Sequence, residues 1–454
     1  MEDPNLDDLT LDDGSTIGVV GGGPSGTFFT FFALEFARMV GLKISIDILE
    51  AKDFTKPGPA GCNNCGGIVS ESLIQVLSTE GIILPSTVIR RGIESYTLHV
   101  ENGVSVIETP FKEQRIASVY RGAGPKGDAD NDQLSFDNYL LELCKENGAN
   151  VIHERVTEVE RAKDGIIIRT KNSFEKKYDF VVGAVGLNKP TCKLFQSICP
   201  SYIPPKTSRT YISEFLLGRD AIDEYFGNSM HVFLLNIPNI TFGALIPKGK
   251  YVTLVLLGTD IDKEIVSRFI QSKDVRNCFP PDIDLEANMQ CNCYPMINIQ
   301  AAKTAYSDRV VLIGDSSSSK LYKNGIGAAY VTAKAAATSA IFHGISSRTF
   351  KSSFQPACSD LDKDNTVGKF IFLVTSIIQK SRILKSGLLQ MVVKEQKKPA
   401  KQRRMSSILW DTFTGSASYR NIFVRFLNPF VIIYLIWNIL TAGLIKLKPG
   451  KHED

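Results

Sequence analysis

At 454 residues, with 43% hydrophobic and 22% charged residues, the chain is long enough for two or three domains and ordinary for a globular protein, so composition alone names no function. The net charge of +4 is small and gives no reason to expect a nucleic-acid partner. It is uneven, however, with Glu2, Asp3, Asp7, Asp8, Asp12 and Asp13 in an acidic, solvated segment at 1–14 and a basic stretch from Lys394 to Arg404. Nine cysteines argue for thiols rather than a disulfide framework, and the opening residues lack the pattern of a secretory signal, so the body is expected in the cytoplasm.

The first structured stretch organises the rest. Thr16–Val20 reads as a buried strand, Gly21-Gly22-Gly23-Pro24-Ser25-Gly26 follows without a gap, Thr27 to Met39 has helical spacing, and Lys43 to Leu49 is a second strand closing on Glu50. In this βαβ setting Gly21 permits the tight turn, Gly23 lets backbone approach a pyrophosphate, and Gly26 lets helix and strand pack closely. The helix N-terminus turns unpaired N–H groups toward phosphate. Glu50 is placed to accept hydrogen bonds from an adenosine ribose and would repel a 2′-phosphate, which favours FAD or NAD over NADP.

Lys56 to Gly61 breaks regular structure and delivers the loop from Cys62 to Ser70, where Ser70 is suited to cap a helix from Glu71 to Leu77. Alternation from Arg91 to Val100 and from Gly103 to Thr109 predicts strands of a second sheet. Ala117 to Arg121 is a strand, and a loop with Gly122, Gly124, Gly127 and Asp128 leads to a helix from Leu134 to about Asn147. Ala149 to Ile152 is a strand, Val156 to Thr170 a meander, and Tyr178 to Gly186 a buried strand. The runs Met230–Leu235 and Tyr251–Leu257 fall in the second domain, and between them Phe242 to Gly249 is a strand followed by a turn. Arg309–Ile313 then returns as a buried strand, Gly314–Ser319 as a polar turn, and 325–343 as a small-residue helix whose N-terminus is a second site for an electron-rich group.

The C-terminal part changes character. Lys369 to Val393 interleaves apolar residues with Lys380, Arg382 and Lys385, fitting either core packing or a membrane surface. Lys394–Arg404 suits anionic headgroups. Pro429 to Ile445 runs without a charge, contains Tyr434 and Trp437, and is followed by Lys446, Lys448 and Lys451. Spanning, half-inserted and interfacial placements all remain open for it. The limits drawn are 1–14 as an acidic N-terminus; 15–90, 112–200 and 290–345 as a cofactor-binding domain; 91–111 and 201–289 as an antiparallel-sheet substrate domain; 346–428 as a basic helical region; and 429–448 as a membrane-associating helix.

From about Ser15 to His343 these ordered motifs resemble the FAD-dependent aromatic-ring hydroxylase superfamily and, within it, the geranylgeranyl reductases. The resemblance rests on the glycine loop with Glu50, on Cys65-Gly66-Gly67-Ile68-Val69-Ser70, on Arg121 with Phe136-Asp137, and on Gly314-Asp315 followed by Gly325-x-Gly327. It implies an α/β (α+β overall) fold: a Rossmann-like FAD-binding domain of the glutathione-reductase/hydroxylase type, an antiparallel-sheet substrate domain and a helical C-terminal tail. By the same resemblance, Gly21, Gly23, Gly26 and Glu50 hold the ADP half of FAD, and Arg121, Gly314, Asp315, Gly325 and Gly327 the flavin half. Cys65 would stand beside the flavin as a proton donor or as an inert loop thiol, with Gly66, Gly67, Phe242 and Pro247 in the substrate pocket.

Two departures matter. Val185 stands where many hydroxylases carry an aspartate associated with NADPH use, which leaves the electron donor as NAD(P)H or a redox protein. The reductases' tryptophan is missing from Phe242–Pro247. The reading is therefore a flavoenzyme at the cytoplasmic face of a membrane, reducing C=C bonds of an isoprenoid or other lipid. The alternatives are a flavin monooxygenase on a lipid-soluble aromatic or quinone precursor, and an electron-relay subunit docking a membrane partner. No metal site is assigned: Cys62, Cys65, Cys291 and Cys293 fit no named spacing, and His99, His153, His231, His343 and His452 are each read as solvated or capped.

Overall fold

The computed structural model describes residues 9–62, 65–110, 115–125 and 134–442. The acidic residues at 1–8, the loop positions Gly127 and Asp128, and the stretch beyond Ala442 with Lys446, Lys448 and Lys451 lie outside the described residues.

Thr16–Val20 is apolar on both faces, so it belongs at the centre of a covered sheet. It pairs in parallel with Ser45–Leu49 and with Phe180–Gly183. The six-stranded sheet runs Tyr306–Ser307, Val310–Leu312, Phe180–Gly183, Thr16–Val20, Ser45–Leu49, Asn150–Ile152. On one face, helix Pro24–Val40 packs along helix Gly325–Phe342, with Phe28 and Phe32 edge-on to Tyr330. Fully buried Ala333, Ala336 and Ala337 let the two helices approach closely. On the other face, Tyr178 and Ile168 of a three-stranded meander close over the sheet, with helix Lys189–Ile198 beside them.

Asp47 is a polar anchor in this layer. Its carboxylate accepts from Tyr178 Oη at 2.8 Å and Asn150 Nδ2 at 3.0 Å and pairs with Lys176 at 2.7 Å. Burial pushes its pKa up, but Lys176, Asn150 and Tyr178 outweigh burial and the net shift is down from 3.8. A depressed carboxyl stabilises the fold above its unfolded pKa and loses that contribution as pH falls through the folded value. Wild type should therefore lose stability faster than Asp47→Asn below about pH 4 in urea titrations, whereas parallel curves would assign the acid sensitivity elsewhere.

The second sheet has seven strands in the order Met289–Cys293, Tyr211–Leu216, Tyr251–Gly258, Ile240–Lys248, Ser229–Phe233, Ser95–Val100, Gly103–Glu108. Its inner face, with Leu98, Val232, Ala244, Ile246 and Val255, packs on the C-terminal helices, and its outer face carries Phe233, Leu245 and Leu254 against Phe269 and Phe279. The pairing departs from the sequence-drawn limits twice. Ile89–Ile93 joins a small sheet with Ile116–Val119 and Ile68–Val69, and Met289–Cys293 is an edge of the seven-stranded sheet. Alternation identifies a strand but not its partner.

The C-terminal segment breaks into helices Gln355–Lys380, Arg382–Gln396, Arg404–Thr414, Tyr419–Phe426 and Pro429–Ala442. Part of the basic stretch turns inward: Lys394 donates to Asn438 Oδ1 at 2.8 Å, and Arg403 pairs with Glu108 at 2.6 Å. Lys397, Lys401 and Arg404 stay at least partly exposed. No described helix is long and apolar enough to cross a membrane by itself; Tyr419–Phe426 and Pro429–Ala442 reach that length only as a pair bent by 67°. Helix Pro429–Ala442 has 14 residues, or about 21 Å at 1.5 Å per residue, against a hydrocarbon core of about 30 Å.

Candidate active site

The glycine loop is shaped by contacts no side chain would fit. A Cβ on Gly21 (φ +109°) would lie 2.4 Å from the Ala184 carbonyl oxygen, and one on Gly26 would lie 1.9 Å from that of Gly21. Gly23 caps the helix with φ −74°, a value any residue adopts, so the local backbone does not itself require glycine there. Glu50 accepts from Gly22 N–H and Lys52 N–H, both at 2.8 Å, which fixes its carboxylate beside the loop.

The later motif meets this loop directly. A Cβ on Gly314 (φ +62°) would lie 1.9 Å from Ser25 Oγ, and one on Gly325 would lie 4.0 Å from Asp315 Oδ1. Asn324 caps the second helix, its Oδ1 accepting from Gly327 N–H at 2.9 Å, and a Cβ on Gly327 would strike that side chain. Gly327 is thus explained first by its cap. The Asp315 carboxyl is pushed up by burial, partly offset by Ser319 and Arg121. Arg121 is clamped by fully buried Asp137, Nε to Oδ1 at 3.0 Å and Nη2 to Oδ2 at 2.8 Å. Burial opposes its charge, but Asp137 outweighs burial and the net shift is upward; Cys65 and Asp315 also act on the guanidinium.

The Cys65 loop is pressed onto strand Ile116–Val119. Val119 N–H donates to the Gly67 carbonyl at 2.8 Å, and Cys65 Sγ accepts from Gly67 N–H at 3.4 Å. Gly67 (φ +68°) would place a Cβ 1.9 Å from the Val119 oxygen and 2.9 Å from Lys248 Nζ; a Cβ on Gly66 would lie 3.0 Å from Val255 and 3.6 Å from Ile246 on the inner sheet face.

Lys248 and Glu214 are the functional candidates that sequence reasoning missed. Lys248 ends strand Ile240–Lys248 with a fully buried side chain. Its ammonium lies 3.9 Å from Glu214 and 4.6 Å from the Tyr120 ring centroid, and Nζ makes no hydrogen bond among the described residues. Burial lowers its pKa, against the opposing pull of Glu214, Cys65 and Cys62. Glu214 accepts from Thr253 Oγ1 at 2.8 Å and from Tyr120 Oη at 3.3 Å. A glutamate inside Tyr211–Leu216, otherwise a buried strand, was the available signal.

The structure also holds an apolar cleft of about 90 Å³, lined by Phe242, Phe370, Phe372, Phe413, Phe423 and Phe426 among others. Phe242 stacks on Phe372, and Tyr322, just before the second helix start, meets Phe372 edge-on at 5.0 Å. Pro247 does not line the cleft; its carbonyl accepts from Ser118 Oγ. Phe370, which lines the cleft, is exposed and meets Phe423 edge-on at 5.6 Å; Leu373, Ile377, Val424, Leu427, Phe430, Ile433 and Trp437 are also exposed.

Among the described residues, Cys62, Cys65, Cys291 and Cys293 do not converge as ligands. Two of the histidines correct the sequence reading. His99 and His231 are buried, 3.2 Å apart, and burial lowers their pKa values to about 3 and about 4, with His231 adding to the shift at His99. They lie on neighbouring strands 132 positions apart, which no ligand spacing reveals.

No protein-family model matches the chain, and no curated protein matches its sequence. Solved structures match its fold. A flavoprotein/dehydrogenase from Cytophaga hutchinsonii is 14% identical with TM-score 0.60, over 94% of this chain and 100% of that one. A geranylgeranyl bacteriochlorophyll reductase-like protein from Thermoplasma acidophilum is 16% identical with TM-score 0.55, over 95% and 96%. A 2-methyl-3-hydroxypyridine-5-carboxylic acid oxygenase is 13% identical with TM-score 0.56, over 82% and 94%. At these identities the likeness establishes the fold, the α/β architecture of flavin reductases and hydroxylases, and leaves the reaction open.

Proposed function

We propose that the chain is an FAD-dependent oxidoreductase that works at the cytoplasmic face of a membrane and reduces carbon–carbon double bonds of an isoprenoid or other lipid. The observation that carries this reading is the apolar cleft, lined by exposed Phe370 and by Phe242, which belongs to the sheet whose Val255 and Ile246 would meet a Cβ on Gly66 at 3.0 and 3.6 Å. An apolar group, such as part of a hydrocarbon chain, is the ligand chemistry that such a lining desolvates.

The residues present fit FAD. Gly21, Gly23, Gly26 and Glu50 would hold its ADP half, and Arg121, Gly314, Asp315, Gly325 and Gly327 its flavin half; contact of Gly314 with Ser25 brings the two motifs together. Reduced FAD supplies a hydride when bound. The chain's own part is to admit the lipid, exclude water and deliver the matching proton. Cys65 stands as the donor, and Lys248 with Glu214 forms the buried store behind it. The electron donor is a nicotinamide or a redox protein.

Anaerobic turnover of the reduced protein with mixed isoprenoid lipids should give products heavier by two hydrogens per double bond. A gain of one oxygen with oxygen uptake would instead select a monooxygenase on a lipid-soluble aromatic or quinone precursor. Reduction only by a co-purifying partner, without product, would select an electron relay.

Membrane attachment has its own test. Phe430, Ile433 and Trp437 share the outer face of helix Pro429–Ala442, with Arg404 over the Phe430 ring at 5.3 Å. This is the arrangement of an interfacial helix flanked by cations. Wild type should float with anionic vesicles and Ile433→Glu/Trp437→Glu should stay in the soluble fraction; a wild type that never floats removes the membrane from the account.

A further inference from the structure

His99, His231 and Cys278 form a cluster that the proposed reaction does not use. His99 belongs to strand Ser95–Val100, His231 to Ser229–Phe233, and Cys278 follows the short helix Lys273–Arg276 that covers the outer sheet face. Leu98 and Val232, on the alternate face of the same strands, pack inward with the C-terminal helices, so the cluster lies on the side away from the cleft. His99 Nε2 is 3.2 Å from His231 Nδ1, Cys278 Sγ is 3.3 Å from His231 Nδ1, and Sγ is 3.8 Å from His99 Nε2.

We propose that this triangle is a structural zinc site. A tetrahedral zinc with Zn–N near 2.0–2.1 Å and Zn–S near 2.3 Å sets N···N at about 3.3 Å and N···S at about 3.6 Å, close to the observed spacings. Without a metal the Cys278 thiol donates to the Asp274 carbonyl at 3.3 Å and the two rings share one N–H···N bond. All three ligand atoms nevertheless converge on one another, where a single ion would join them and release the thiol proton. The rings are already oriented: His99 stacks on Phe233 at 4.5 Å, and His231 lies 4.8 Å from Phe226. Binding displaces the Cys278 thiol proton to solvent and leaves a zinc–thiolate bond, with no change of oxidation state. The half-buried Asp274 adds negative charge beside Cys278. The ion would tie the covering segment to two strands of the sheet.

Full-length wild type, grown with zinc and washed with a weak chelator, should hold about one zinc per chain by elemental mass spectrometry. Its zinc-edge X-ray absorption should show two imidazoles and one sulfur. Cys278→Ala and His231→Ala should lose the metal at least tenfold. Should these variants misfold, the wild type still decides, since cobalt(II) added to metal-free protein must give a thiolate charge-transfer band. A wild type without zinc and without that band overturns the site, as does bound zinc whose first shell is all sulfur.

Discussion

Replacing Lys248 by Met is expected to lower turnover by about 10²- to 10³-fold, the range of a lost proton-transfer group, while the chain stays folded and its cofactor stays bound. The side chain is completely buried, and its ammonium lies 3.9 Å from Glu214, beyond hydrogen-bond distance. Removing one partner of a buried pair leaves the other charge uncompensated at a cost of about 3–5 kcal/mol, so Lys248→Met is expected to melt lower than wild type while staying folded. Met fills the same volume without the desolvation cost. Glu214 keeps Thr253 and Tyr120, so the strands around it retain their polar contacts. Because burial lowers the Lys248 pKa from 10.5, wild-type activity should fall on an alkaline limb below the usual lysine range, as the ammonium loses its proton. That limb should vanish in Lys248→Met. A variant with normal turnover and a lowered melting temperature would make Lys248 a packing residue, with no part in the chemistry.

Gly26→Val should abolish cofactor retention, with FAD affinity down by at least about 100-fold and stability lower by about 2–4 kcal/mol. The new Cβ would lie 1.9 Å from the Gly21 carbonyl oxygen and 3.2 Å from Val19 Cγ1, so the helix start must move away from the strand. That movement pulls backbone N–H groups off the position where phosphate would sit, which couples the packing defect to binding. Gly92→Ala is the matched control: nothing lies within 4 Å of its added methyl, and it should be neutral in both respects. Equal loss in the two variants would mean that the loop geometry is not what binds the dinucleotide.

What could be read from the chain was local. The strand, glycine loop and helix from Thr16 to Val40 are contiguous, so period and turn chemistry located them, and Ser70 accepts from Leu73 N–H as a cap should. The order of the glycine motifs assigned Gly21 and Gly314 to one cofactor, but the close approach of Gly314 to Ser25 was visible only in the fold. What escaped depends on strand pairing. Lys248 drew no notice between Pro247 and Gly249, yet the Ile240–Lys248 ladder carries it into the core opposite Tyr251. His99 and His231 come together because their strands run side by side in parallel. The basic stretch at Lys394–Arg404 read as suited to anionic headgroups, and helical packing turns Lys394 toward Asn438. Charge content cannot show which side of a helix is covered.

The central claim is that a flavin dinucleotide lies between the helix starts at Gly23 and Asn324. It is tested most directly by equilibrating the purified chain with FAD, removing free ligand and recording the visible spectrum beside circular dichroism. About one tightly held FAD per chain is predicted, lost in Gly26→Val and kept in Gly92→Ala. A folded wild type that remains colourless after saturation would contradict the account.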